Sequence, residues 1–225
     1  MMLAAAGIFL AARRKPKLPY DYEVEYVETD GLRSYINTGI VTGVSSEVRV
    51  CFQVISVPYQ SAGSSYAPNT ICGAREGTSA SGGARFNIGV NTLYEQFGFL
   101  RPSVMDPANA PRYDNDIHVV EMKDGLIKFD GREFLSQPLD ETEGFTHDFC
   151  LGKSGVIDPS SAPRYYSRYY SQTRFYSCSI SSGGKLDFDG IPVVFNGIAG
   201  LFDRVSGTFK GNAATNGVII AGPRK

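Results

Sequence analysis

The densest concentration of recognition chemistry in this sequence is Arg164-Tyr165-Tyr166-Ser167-Arg168-Tyr169-Tyr170-Ser171-Gln172, where four phenol rings and two guanidinium groups fall within nine residues. Tyrosine rings stack on apolar surfaces such as the face of a pyranose, while Arg, Ser and Gln supply hydrogen bonds around the rim. The same side chains dominate the energetic centres of protein interfaces, so the run suits a protein partner equally well. A shorter echo precedes it. Ala110-Pro111-Arg112-Tyr113 repeats the order of Ala162-Pro163-Arg164-Tyr165, and Tyr59 and Tyr66 occupy a third irregular stretch. Arg112, Tyr113, Arg164, Tyr165, Tyr166, Arg168, Tyr169 and Tyr170 are therefore the candidate ligand-binding residues. The competing reading is that some of these rings pack against the edge of the fold or begin the following strand.

Groups suited to catalysis are sparse. Cleavage of a glycosidic bond needs two carboxyl groups about 5–9 Å apart across a cleft. Glu23, Glu25 and Glu28 come nearest to such a cluster, but Glu23 and Glu25 alternate onto one face of a strand and read as a solvated edge. A Ser or Cys nucleophile needs a positioned base, and the two histidines, His118 and His147, each read as structural or surface residues. Calcium needs several converging oxygens, which Asp114, Asn115 and Asp116 could supply with Asp106 and Asn109. Asx-rich loops more often cap their own backbone. Cys51, Cys72, Cys150 and Cys178 lie far apart, with no C-x-x-C pair and no His at zinc spacing. Apolar neighbours, as in Val50-Cys51-Phe52 and Phe149-Cys150-Leu151, fit buried thiols, with one or two disulfides as the alternative. No catalytic residue and no metal ligand is assigned, and calcium is the one cofactor kept in view.

The elements that must hold these residues are strands. The chain has 225 residues with 25 Gly, 13 Tyr and 14 Phe, and no apolar period of 3.6 persists for three turns. Short β-rich runs alternate instead with turn clusters, among them Val24–Glu28, Glu47–Ser56, Ile117–Lys123, Leu126–Asp130, Arg174–Ser181, Lys185–Phe188, Ile191–Asn196 and Ile198–Asp203. Asp124-Gly125 and Asp130-Gly131 supply the positive φ of tight hairpins and predict a three-strand meander between His118 and Phe134; Gly183-Gly184 and Asn91-Thr92 mark two more hairpins. With no crossover helices, antiparallel sheets packed as a sandwich are expected.

Residues 1–19 form an apolar and basic tail and linker, and residues 20–225 the β domain. Met1 to Ala12 is apolar and is followed by Arg13, Arg14, Lys15 and Lys17, the reverse of a secretory signal. The run is shorter than the ~20 residues that span a bilayer, and reads as a flexible tail or short anchor, with a truncated signal or an assembly tag as the alternatives. Basic and acidic residues number 22 and 23, a formal charge of -1, which offers no field to hold nucleic acid.

Two segments carry a resemblance. Tyr22-Glu23-Val24-Glu25-Tyr26-Val27-Glu28-Thr29-Asp30-Gly31 followed by Ser34-Tyr35-Ile36-Asn37-Thr38-Gly39-Ile40 resembles the opening of laminin-G-like, concanavalin A-like domains of bacterial surface and phage tail proteins. Gly200-Leu201-Phe202-Asp203-Arg204-Val205-Ser206-Gly207-Thr208-Phe209 and Asn216 to Pro223 resemble their close. The resemblance spans roughly residues 22–223 and implies a concanavalin A-like jelly-roll. That fold hosts lectins, carbohydrate-binding modules, glycan-cleaving enzymes and adhesion spacers. The E-x-D-x-x-E triplet of its β-glucan-cleaving relatives is missing here. The expectation is a non-catalytic binding or adhesion module for a glycan or cell-surface partner, extracellular, cell-surface or virion-borne. The alternatives are a structural domain of a phage tail or surface assembly docked through its N-terminal tail, and a glycan-cleaving enzyme. If the Tyr-Arg run carries recognition, Tyr165→Ala and Tyr169→Ala each weaken binding to cells or to a glycan array by about tenfold or more. Unchanged binding in both variants removes the run from the site.

Overall fold

Val48, Val50, Phe52 and Val54 alternate with Glu47, Arg49 and Gln53, a period of two that a half-buried strand requires. In the computed structural model the four apolar residues are fully buried and their polar neighbours face outward. The structure describes residues 18–43, 45–57, 69–75, 85–91, 96–99, 111–123, 126–136, 147–155 and 171–225. The N-terminal tail to residue 17 and the Tyr-Arg run through Tyr170 lie outside them.

In chain order the strands are β1 (Tyr22–Glu23), β2 (Val27–Thr29), β3 (Ile36–Val41), β4 (Ser46–Ser56), β5 (Asn69–Arg75) and β6 (Arg85–Asn91). Then come β7 (Gln96–Phe99), β8 (Ile117–Lys123), β9 (Leu126–Phe129), β10 (Arg132–Ser136), β11 (Asp148–Leu151) and β12 (Ser154–Gly155). The last are β13 (Gln172–Ser182), β14 (Lys185–Phe195), β15 (Ile198–Asp203), β16 (Thr208–Lys210) and β17 (Ile219–Ala221). No helix occurs among the described residues.

The larger sheet runs β10-β9-β8-β4-β13-β14-β15-β16, with β1 paired to β14 and β2 held between β13 and β17. The smaller runs β3-β11-β5-β6-β7, with β12 alongside β5. The β12–β5 pair is parallel; the long ladders are antiparallel. One continuous core joins the sheets: Val50, Phe52, Phe175, Cys178 and Ile180 from the larger meet Cys72, Ile88, Phe97, Phe149 and Leu151 from the smaller. Each large apolar side chain removed from water contributes roughly 1.5–3 kcal/mol. The protein is all-β, an antiparallel β-sandwich, as the strand and turn pattern predicts.

The turns show why the local chemistry was informative. Asp130 and Gly131 take φ of 49° and 76°, and Gly183 and Gly184 take 56° and 79°, left-handed pairs that match the twist of the strands they join. Asn196-Gly197, with φ of 50° and 76°, closes a third such hairpin between β14 and β15. Asp124-Gly125 lies outside the described residues, while Lys123 and Leu126 on either side pair across β8 and β9.

Two expectations change, while the buried-thiol reading of the cysteines stands. Lys185–Phe188 and Ile191–Asn196 are one strand, β14, because Asp189-Gly190 is not a turn. Gly190 leaves room for core side chains: a Cβ there would stand 2.6 Å from the Phe188 ring and 3.1 Å from Leu201 Cδ1. The strand expected over Val24–Glu28 is split into β1 and β2, whose pairing passes from β14 to β13. It is not an exposed edge either, since β17 zips onto it, Ile219 opposite Thr29 and Ala221 opposite Val27, and the Lys225 N–H donates to the Glu23 carbonyl at 3.1 Å. The cysteines are four free thiols, three buried and Cys51 half-buried, and burial pushes Cys150 up to about 12.

Gly200 on β15 shows how tightly the sheet end is packed. A Cβ there would press on the Lys210 carbonyl and stand 2.6 Å from the Phe209 ring, which stacks on Phe195. Gly200→Ala is expected to cost about 1–3 kcal/mol by overpacking. Gly183→Asn, at a left-handed position with nothing within 4 Å of a Cβ, is expected to cost below about 1 kcal/mol. Urea unfolding of the two variants checks this, and equal losses would contradict it.

Candidate functional site

Of the candidate ligand-binding residues, Arg112 and Tyr113 are described, and both lie against the edge strand β7. Arg112 bridges to Gln96, and the Phe97 N–H donates to the Pro111 carbonyl at 2.9 Å, so this segment covers the β7 edge. The Tyr113 ring meets Phe97 edge-on at 5.9 Å, and its hydroxyl donates to Asn115 Oδ1 at 3.1 Å. Arg112 is exposed and Tyr113 half-buried. Arg164, Tyr165, Tyr166, Arg168, Tyr169 and Tyr170 lie outside the described residues, as do Asp106 and Asn109.

Asp114, considered above as a calcium ligand, is turned toward His118. The ring of His118 is buried and has a carboxylate at each nitrogen, Nδ1 2.8 Å from Asp130 Oδ2 and Nε2 2.7 Å from Asp114 Oδ1. Phe97 and Phe129 close around it at 5.1 and 4.7 Å between ring centres. Asp130 Oδ1 also accepts the Val119 N–H at 2.8 Å, and Asp114 Oδ1 the Asp116 N–H at 2.8 Å. With a carboxylate at each nitrogen and the ring enclosed, His118 joins the 111–116 segment to the β9–β10 turn and is not placed to serve a nucleophile. Among the described residues no group of three His, Cys, Asp or Glu side chains converges as a metal site.

A different cluster stands on the outward face of the larger sheet. Cross-strand pairs cover this face: Lys123 Nζ lies 3.0 Å from Glu47 Oε2, Arg49 Nε 3.2 Å from Glu121 Oε1, and Arg174 Nε 2.6 Å from Glu28 Oε2. Glu28 belongs to the N-terminal carboxylate cluster with Glu23 and Glu25, but it does not face water as they were expected to. It is 7% exposed, and its other oxygen accepts Gln172 Nε2 at 2.6 Å. The Glu28 bond also raises the pKa of Arg174, fixing its charge.

Two tyrosines flank this pair. The Arg174 guanidinium lies 4.4 Å from the centre of the Tyr26 ring, and Tyr176 meets Tyr26 edge-to-face at 5.6 Å. Burial pushes the Tyr176 phenol up, so the group is a neutral hydroxyl, donating to Gln53 Oε1 at 2.9 Å. Gln53 Nε2 in turn donates to the Asn115 carbonyl at 2.7 Å, tying this face to the segment that His118 holds. Gly222 stands behind the Tyr26 ring, where a Cβ would come within 2.9 Å. The result is a pair of fixed, half-buried rings set among amide and guanidinium groups. Such a surface loses little rotamer freedom when it binds.

Sequence reading did not single out Tyr26, Arg174 or Tyr176 because β2 and β13 meet across nearly the whole chain, Arg174 opposite Glu28 and Phe175 opposite Val27. The available signal was the alternation on β13, where Thr173, Phe175 and Cys178 turn inward and Arg174 and Tyr176 are only half-buried.

The His118 bridge has a testable energetic consequence. His118→Phe keeps the ring contacts but releases both carboxylates, and is expected to cost about 1–3 kcal/mol in urea unfolding. Burial raises Asp114, but the Asp116 N–H and His118 together hold it below the ordinary carboxylate range. A lowered carboxylate stabilises the fold above its unfolded pKa, about 3.9, and loses that contribution as the pH falls through its folded value. Stability measured from pH 5 downward is therefore expected to fall less steeply in Asp114→Asn than in the parent; parallel curves would contradict the bridge. Comparison with protein-family models, curated proteins and solved structures finds no match to this chain.

Proposed function

We propose that this chain is a non-catalytic binding module that recognises a glycan on a cell or matrix surface, through the outward face of its larger sheet. The observation that carries the reading is the Tyr26–Tyr176 ring pair, fixed by Arg174 at 4.4 Å and bordered by Gln53 and Gln172. A sugar presents an apolar face for stacking and a rim of hydroxyls that donate and accept, and this arrangement offers a match to both. The resemblance of the chain's two ends to concanavalin A-like, laminin-G-like jelly-rolls supports the same class. The carboxylates on this face add to it: Glu28 is engaged by Arg174 and Gln172, and Glu121 by Arg49. Groups so occupied are suited to holding side chains in place, not to proton transfer.

A glycan array followed by calorimetry with its best hit tests the proposal. Tyr26→Ala and Tyr176→Ala are each expected to weaken binding about tenfold or more, and Tyr176→Phe less, since it keeps the ring. Binding that survives both alanine variants but is lost in Tyr165→Ala and Tyr169→Ala would place recognition on the Tyr-Arg run. Release of reducing ends from the bound polysaccharide would replace binding with cleavage.

A further inference from the structure

Resting on that reading, we infer that the ligand of the outward face is an uncharged glycan, one without sulfate, phosphate, uronate or sialate groups. The inference follows from how the cations on this face are placed. Lys123, Arg49 and Arg174 each lie within 3.2 Å of a carboxylate, those of Glu47, Glu121 and Glu28. A fourth pair continues the pattern toward β15, Arg204 Nη2 lying 2.6 Å from Asp189 Oδ2. The four pairs sum to zero charge, and the whole chain carries -1.

An anionic sugar stacked on the Tyr26–Tyr176 rings can engage the Arg174 guanidinium beside them only by drawing it away from Glu28. The displaced carboxylate is then left beside the incoming anion. Glu28 makes this especially unfavourable: it is almost fully buried and both its oxygens are in use, so it cannot turn to water. A neutral sugar meets no such conflict, because it stacks on the rings and exchanges hydrogen bonds with amides and hydroxyls while the pairs remain closed. Carboxylates next to the site also repel anions selectively, which is how an interface excludes the wrong partner. Binding free of ion-pair formation has little salt dependence, whereas capture of a polyanion weakens steeply as salt rises.

The test sets neutral glucans, mannans and galactans against heparin, chondroitin sulfate and polygalacturonate, with titrations at 50 and 500 mM salt. The expected result is binding confined to the neutral panel, with an affinity changing less than about threefold over that salt range. Glu121→Gln, a substitution at a half-exposed position, frees Arg49 and is expected to create salt-sensitive binding of heparin that the parent lacks. Parent binding to the acidic panel that is lost in Tyr176→Ala and falls steeply with salt would overturn this inference while leaving the glycan-binding surface in place. Absence of binding to either panel would overturn both.

Discussion

Two strands of eleven residues, β4 and β13, hold this protein together from opposite halves of the chain. They run side by side from Ser56 opposite Gln172 to Ser46 opposite Ser182. A slip of one residue in this pairing would turn Val48, Val50, Phe52 and Phe175 to solvent and bury Arg49, Gln53 and Arg174. The cost of that exchange fixes the register. It also fixes the outward face, because the side chains proposed to meet a ligand there lie on β4, on β13, or at Tyr26, which directly precedes β2, the partner of β13. Core and recognition surface are two sides of one constraint.

Around that ladder the rest of the molecule acts to hold edges. The strands at the two ends of the chain close the gap where β13 and β14 diverge, β1 on β14 and β2 on β13 with β17 outside it. The 111–116 segment covers β7 and is fastened by His118, whose neighbour Phe52 faces inward from β4. Gln53, the next residue of β4, faces outward and bonds to Asn115 of that same segment. A hydrogen-bonded bridge at one end of the core thus stands one residue away from the proposed binding surface.

How much of this could be read from the sequence depended on whether the cause was local. Asp130-Gly131 and Gly183-Gly184 were legible because a left-handed pair of residues is a property of the pair alone. The alternation of β4 was legible for the same reason. Asp189-Gly190 misled because its glycine answers to Phe188 and Leu201, partners that only the folded sheet supplies. β12 and β17, of two and three residues, carry too little pattern to register. Among the candidate site residues, Tyr113 was noticed for its ring, yet that ring packs edge-on against Phe97. Tyr26 and Tyr176 went unmarked because their pairing is long-range, while Tyr165 to Tyr170 drew notice through local density alone.

The central claim is that recognition occurs on the face set by the β4–β13 register, and mapping by nuclear magnetic resonance tests it most directly. Titration of the isotope-labelled protein with a neutral oligosaccharide is predicted to shift the signals of Tyr26, Gln53, Arg174 and Tyr176, leaving Phe52 and Phe175 on the opposite face nearly still. Shifts confined to the smaller sheet or to residues 156–170, with Tyr26 and Tyr176 unmoved, would contradict it.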